Sequence, residues 1–337
     1  LEGIQVTDIC WNSRGIRTYL SGIERLALES SQCLIEKDKQ VKQVMLLNSD
    51  MEWIEAVDPN IEVQLQSRRP LALVTPLIFK PKSKVFHSWA QPILRNRASE
   101  FISYTVHDWG PFFDKSMSKK SRKIWKHAIQ MGVYNSDSIH FMSEHVLSQT
   151  PKEMISLIKQ KSVILSDFQF RESLSDDELT QPKVLNEPYL LAIGSLEQRK
   201  RFHEIASIWR NESMIALTGL KLVIVGRDTE KLGIDDNVVG LGYVSERKLR
   251  NLLSNCTSLI SVSTYEGLNI PVMEAVEIGK PVIAIQGTYA PIVKSHVTEI
   301  LNLNATELLY AIKNLKLVSK IDSSKENILI KFLLEKI

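Results

Sequence analysis

The residues from Ser263 to Ala284, STYEGLNIPVMEAVEIGKPVIA, constrain the fold more tightly than any other stretch of the chain. The run SLISVST reads as a short strand. A tight loop through Gly267 then opens a helix, with Pro271 expected at its first position, where a missing N–H costs nothing. Gly279 closes that helix, and PVIAI is the next strand. The result is one β-loop-α-β unit of a parallel sheet, with its loop at the carboxyl end of a strand, where open α/β sheets bind ligands. The N–H groups from Leu268 through Asn269 to Ile270 are expected to point out of the helix N-terminus, a ready site for a phosphate. Glu266 and Glu274 stand eight positions apart. Glu266, in the loop, is expected to reach freely toward a ligand, and Glu274, in the first helical turn, to face the same cleft. A carboxylate pairs well with the vicinal hydroxyls of a ribose or hexose. Taken singly, each glutamate is ordinarily a solvated surface charge; the frame around them singles them out.

The chain has 337 residues, too many for one typical domain and suited to two. Hydrophobic residues make up 44%, enough for sizeable cores and not the composition of a disordered chain. A net charge of +3 gives no reason to expect nucleic acid as a partner. Cys10, Cys33 and Cys256 are far apart and form no CxxC pair, which fits buried, reduced thiols. No apolar run approaches the ~20 residues of a membrane helix, and the opening residues do not read as a secretory leader. The expected location is the cytoplasm.

Strand candidates recur along the first half: GIQVTDIC, VKQVMLLN, LALVT, SKVFHSW, FISYTVHD, DSIHFMS and SVILSD, with helices between several of them. This alternation predicts a parallel sheet covered on both faces. From Glu172 to Pro188 the pattern gives way to a polar, acidic, proline-punctuated linker. It resumes at Tyr189. Asn304 and Glu307 form a capping-box-like pattern, and ENILIKFLLEKI is a final amphipathic helix. Charge is uneven: from Lys80 to His127 there are eleven Lys or Arg against three acids, a local +8. Within it SKKSRKIWKHAIQM sets Ile124, Trp125, Ala128 and Met131 near helical spacing. Such a helix suits an anionic membrane surface. It equally suits a solvated helix packing its apolar stripe on the core.

The Ser263–Ala284 block closely resembles the E-x7-E signature of the retaining glycosyltransferases of family four, which have the two-domain GT-B fold. The resemblance runs from Tyr189 to Ile285: YLLAIGSLEQRKRF, LKLVIVGR and VVGLGYVSERKLRNLLSNC each look like family segments, while the amino-terminal half matches more loosely. It implies two doubly wound, Rossmann-like parallel-sheet domains facing each other across a cleft: an acceptor domain over 1–185, a nucleotide-sugar domain over 186–318, and a C-terminal helix over 319–337 that packs back toward the first. It also implies roles. Glu266 would hold the donor hexose and Glu274 the ribose. Lys200 would meet the diphosphate, since a fixed cation stabilises charge that grows on the leaving phosphate. Many members carry an arginine directly after the glycine of this segment; here it is Ser195, so Arg199 shares the work or Lys200 acts alone. His107, in YTVHDWG, would lie at the donor sugar, a neutral imidazole donating to a hydroxyl with Asp108 orienting it. His87 is a weaker candidate. Gly15 would let the backbone approach a diphosphate. Tyr243 and Val244 sit where the family cradles the base. A surface basic pair at Arg199–Lys200 and a strand-capping role for His107 are the plain alternatives.

Other motifs fail. Gly240-Leu241-Gly242 lacks the third glycine of a dinucleotide fingerprint, Gly279-Lys280 is not a P-loop, and His140, Glu144 and His145 have the wrong spacing for zinc. No D-x-D pair is present to hold a cation on a diphosphate. The resemblance implies a cofactor-free hexosyltransferase acting on a saccharide or lipid-linked acceptor in surface-glycan synthesis, similar to mannosyl- or rhamnosyltransferases. The missing carboxylate pair adds the expectation that it is metal-independent, and the basic helix that it is peripheral on the inner membrane face if that helix binds lipid. The rivals are a GT-B sugar-nucleotide epimerase and a non-catalytic nucleotide-sugar-binding protein.

Overall fold

The computed structural model describes residues 7–13, 22–48, 54–66, 82–90, 93, 99–114, 117–165, 185–211, 214–316, 318 and 327–337. The chain divides into two compact units, Leu1–Phe168 with Glu326–Ile337, and Gln169–Lys325.

In the first unit the strands are β1 (Thr7–Asn12), β2 (Gln43–Asn48), β3 (Glu62–Gln66), β4 (Ser83–Ser88), β5 (Ser99–Val106), β6 (Ser138–Phe141) and β7 (Ser162–Leu165). They form one parallel sheet in the order β3-β2-β1-β4-β5-β6-β7. Parallel neighbours need crossovers, and the helices Gly22–Lys37 and Lys119–Asn135 are two of them. The strand order reverses between β1 and β4, so the crevice at their carboxyl ends is the topological switch point. Central strands are buried on both faces and read as apolar runs: Cys10, Val44, Leu46, Phe86, Ile102 and Tyr104 pack against Ile129 and Val133 of the helix Lys119–Asn135. Gly132 is what lets that helix approach. A Cβ there would meet the Tyr104 ring at 2.3 Å.

The sequence did not predict β3, and LALVT lies outside the described residues, as does most of the linker from Glu172 to Pro188. The basic helix forms, with Ser118 capping Ser121 N–H. Its buried face is Ala128, Ile129, Gly132 and Val133; Ile124, Trp125 and Met131 are only half-buried, so the apolar stripe lies further along than predicted. The last helix, Ile328–Leu334, packs on β7 and on the helix Gly22–Lys37 of the first unit, and Phe332 meets Phe101 with ring centroids 5.9 Å apart. All three cysteines are buried and unbridged.

The second unit repeats the plan. Strands β8 (Tyr189–Ile193), β9 (Lys221–Val225), β10 (Val238–Gly240), β11 (Ser258–Ser261), β12 (Val282–Ile285) and β13 (Val297–Ile300) form a parallel sheet in the order β10-β9-β8-β11-β12-β13. Its switch point lies between β8 and β11. Leu190, Leu222, Ile224, Ile260 and Ile283 build the core with Phe202, Ile205 and Trp209 of the helix Phe202–Asn211. The Asn304 cap is as expected: its Oδ1 accepts from Glu307 N–H at 2.9 Å. The Glu307 carboxylate accepts from the Leu301 and Asn302 N–H groups and, at 3.4 Å, from the Asn304 side-chain amide.

Candidate active site

Two loops leave the strands that flank the second switch point. After β8, Gly194 adopts φ 150°, a region that side-chain-bearing residues rarely enter. A Cβ there would press on Lys200 Cε at 3.0 Å and Nζ at 3.3 Å, while a Cβ on Gly226, after β9, would strike the Gly194 carbonyl oxygen at 2.1 Å. The glycines let two strand ends pack closely and let the Lys200 side chain lie over them. A single 3-10 turn, Gln198–Lys200, ends at Arg201 in the left-handed region and buries Lys200 to 8% exposure.

After β11 the chain runs through Ser263–Gly267 into the helix Ile270–Glu277. Ile270 opens it and Pro271 is second, one place later than predicted; both positions tolerate a missing N–H. Asn269 holds φ 56° and ψ 62°, which asparagine accepts better than most residues. Its side-chain amide donates to Ser261 Oγ at 2.9 Å and to the Thr288 carbonyl at 2.8 Å, so the side chain pins the loop. What Asn269 can offer a ligand is its backbone. Among the described residues the N–H groups of Leu268, Asn269 and Ile270 have no hydrogen-bond partner, as an anion site at a helix N-terminus requires.

The two loops meet at Glu266. Lys200 Nζ lies 2.6 Å and Arg199 Nη1 2.8 Å from Glu266 Oε1, and the glutamate is 9% exposed. At these distances both cations act on the carboxylate directly through their charge. Burial alone would push the carboxyl pKa up; Lys200 and Arg199 outweigh it, with help from Ser263, and hold it down at about 2. The predicted free glutamate is therefore a buried, ionised member of a three-charge cluster. A buried ion pair is weak evidence of stability, because desolvation offsets the attraction. Its placement at a switch point points to chemistry instead.

Arg199 does more than touch Glu266. Its Nε donates to Glu197 Oε2 at 3.1 Å and its Nη1 to the Tyr265 carbonyl at 3.1 Å. Its own carbonyl accepts from Thr264 N–H at 2.8 Å. Glu274 is half-buried and is the fifth helical residue, beyond the first turn where it was predicted. Tyr243 follows β10, with 56% of its surface exposed, and Val244 beside it is half-buried.

In the first unit Gly15 lies outside the described residues. His107 stands just past β5, half-buried, with Nε2 2.5 Å from the Trp89 carbonyl oxygen. A carbonyl only accepts, so Nε2 carries the proton and Nδ1 is left as an acceptor. That reverses the predicted role: this imidazole can accept from a hydroxyl but has no N–H left to donate. Burial lowers its pKa to about 4, although the Trp89 contact acts the other way. Asp108 Oδ1 accepts from Gly110 N–H at 2.7 Å and caps the turn that follows. His87 is wholly buried. Thr105 Oγ1 bridges His87 Nε2 and His140 Nδ1, each at 3.0 Å. One hydroxyl has one proton, so it donates to one ring and accepts from the other. Trp11 and Trp89 stack at 6.0 Å beside them.

Sequence reasoning did not single out Glu197, which pairs with Arg199 and sits 3.7 Å from Arg227. An acid two residues before an arginine in a tight turn was the available signal. It also missed the Trp11–His87–Thr105–His140 network, whose members are scattered over the half-chain. Parallel pairing brings Trp11 opposite His87 and Thr105 opposite His140. Among the described residues no group of three His, Cys, Asp or Glu could hold a metal ion.

Residues 176–315 match the family model described as glycosyl transferases group 1, a stretch that takes in every site residue of the second unit. No curated protein matches the chain. Among solved structures, sucrose-phosphate synthase from Thermosynechococcus elongatus is similar with a TM-score of 0.64 at 14% identity, covering 91% of this chain and 89% of that one. Anabaena Alr3699/HepE, solved with UDP and glucose, gives 0.63 at 14% identity and the same coverages, 91% and 89%. WaaG, a glycosyltransferase involved in lipopolysaccharide biosynthesis, gives 0.55 at 13% identity, with 90% and 89% covered. The chain has the two-domain GT-B fold of these proteins, and its second unit carries the glycosyl transferases group 1 match.

Proposed function

We propose that the protein is a retaining, metal-independent glycosyltransferase that moves a hexose from a nucleotide sugar to a saccharide or lipid-linked acceptor. One observation carries the reading. Lys200 and Glu266, a cation and an anion suited to a diphosphate and a sugar, meet at the second switch point in the loop that leads to the unpartnered N–H groups of Leu268–Ile270. The Anabaena neighbour was solved with UDP and glucose, and two others serve lipopolysaccharide synthesis.

In this reading the diphosphate lies on the helix N-terminus and Lys200. Nζ has Glu266 as its one partner among the described residues, and an ammonium has three donors. As the bond from the anomeric carbon to the phosphate oxygen breaks, negative charge grows beside Lys200, which stabilises the transition state more than the ground state. The acceptor oxygen attacks the same face, and its proton passes to the departing phosphate. Glu266 accepts from hexose hydroxyls and Glu274 from the ribose. Tyr243 and Val244 contact the base. The first unit holds the acceptor, with His107 Nδ1 accepting from a saccharide hydroxyl.

A surface-glycan role and attachment to the inner membrane face rest on the basic helix. Lys119, Lys120 and Lys123 are exposed; Lys126 is committed to Glu153 at 2.6 Å and lies over the Phe112 ring. Incubating the protein with UDP-, GDP-, dTDP- and ADP-hexoses and glycan acceptors tests the proposal, with the anomeric configuration of product read by NMR. Transfer with retention is expected. An inverted product removes the mechanism, isomerised donor without acceptor favours the epimerase, and binding with no turnover on any acceptor favours a binding protein.

A further inference from the structure

We infer that Arg199 is a positioning residue, a strut that fixes the Glu266 loop against the Lys200 turn, and not a ligand of the donor diphosphate. Both halves of the residue serve this. Its backbone carbonyl takes the Thr264 N–H at 2.8 Å and the Thr264 hydroxyl at 3.4 Å. Its guanidinium spans Glu197 Oε2, the Tyr265 carbonyl and Glu266 Oε1, at 3.1, 3.1 and 2.8 Å. Three consecutive residues of one loop, Thr264 to Glu266, are thus gripped by a single residue of the other.

The geometry needs an arginine. A planar fork engages a carboxylate with Nε while Nη1 reaches a carbonyl and a second carboxylate; an ammonium has no fixed fork. Glu197 completes the strut by holding the guanidinium from the β8 side. Lys200 differs: among the described residues its ammonium faces Glu266 alone, so it remains the cation that can meet an anion. The neighbouring pair therefore divides its labour, one cation fixing where Glu266 sits and the other meeting charge. That division rests on the donor-site reading above; the strut itself does not.

The test uses the full chain and two substitutions, Arg199→Gln and Arg199→Lys, with Lys200→Met as reference. Amide hydrogen exchange over residues 263–269 is read first, without ligand. Both Arg199 variants should exchange there at least tenfold faster than wild type, and lysine should not rescue. Rates equal to wild type in Arg199→Lys would overturn the strut, since a point charge would then suffice. Binding of UDP, GDP, dTDP and ADP is read second by calorimetry. The nucleotide that wild type binds should bind the Arg199 variants within about threefold and Lys200→Met at least tenfold more weakly. Equal weakening by Arg199→Gln and Lys200→Met would make Arg199 a ligand and overturn the inference. If wild type binds none of the four, the donor-site reading fails, and the exchange data still decide the strut. Should Arg199→Gln not fold, Arg199→Lys, which keeps the charge, carries both measurements.

Discussion

The two sheets share one strand order over six strands, yet their switch points are furnished in opposite ways. In the second unit the strand ends gather full charges: Lys200, Arg199 and an ionised Glu266. In the first, the residues at the corresponding ends are polar but neutral: His87, Thr105, His140 and His107, walled by Trp11 and Trp89. Burial acts on both, and the outcome depends on partners. A buried carboxylate keeps its charge because two cations adjoin it. Buried imidazoles with hydroxyl and carbonyl neighbours cannot keep a charge, so they stay neutral. The charged end is equipped to meet an anion, and the neutral end suits hydroxyl-bearing, uncharged groups.

The sharpest way to break this contrast is Lys200→Ala. If the charged end meets the growing charge of a leaving diphosphate, turnover should fall by about 3 kcal/mol of barrier, roughly a hundredfold, with a smaller loss in donor binding. Wild-type turnover in steady-state kinetics would remove Lys200 from the mechanism.

Acid should separate the two units. Unfolded, His87 and His140 take protons near their ordinary pKa of 6.5; folded, burial drives His87 well below this and His140 to about 3. Between those values the unfolded chain binds more protons, so stability falls with falling pH by roughly 1.4 kcal/mol per unit for each such histidine. Glu266 behaves differently. Its contribution is intact above its ordinary 4.5 and is lost only as pH drops toward 2. At pH 5 the first unit should therefore show lower amide protection factors, corrected for the intrinsic exchange rate at each pH, than at pH 7.5, while those of the 194–201 and 263–269 loops of the second hold. The reverse order of loosening would contradict the contrast.

Thr105→Val probes the neutral end. It removes the hydroxyl that bridges two buried imidazoles, a cost of about 1–3 kcal/mol in denaturant unfolding. Turnover by the folded fraction should be near wild type; a large loss of turnover would give the network a part in the chemistry. The smallest effect is expected of Glu274→Gln: a donor KM raised about tenfold, ~1.4 kcal/mol, with turnover largely kept, as uniform binding of the ribose requires. Abolished turnover at saturating donor would assign it another role.

The second site was more legible in the sequence than the first, for a physical reason. Gly194, Lys200, Glu266, Pro271 and Gly279 lie in loops whose residues are chosen for backbone geometry and charge, and both leave a local signature. The length of the reach was not legible. Glu266 was taken as free because its partners lie on a turn more than sixty positions earlier, and only the β8–β11 pairing brings them together. The first site leaves almost no signature, because Trp11, His87, Thr105 and His140 stand on four different strands and only the parallel pairing sets them side by side. β3 escaped for a related reason: Glu62, Gln64 and Gln66 make its alternation half polar, as expected of an edge strand.

A crystal structure of the complex with the nucleotide sugar that wild type binds most tightly tests the central claim most directly. Diphosphate oxygens are expected within hydrogen-bond distance of Lys200 Nζ and of the N–H groups of Leu268–Ile270, with Glu266 on hexose hydroxyls. A diphosphate bound at the carboxyl end of the first sheet, or in the second unit away from Lys200, would contradict it.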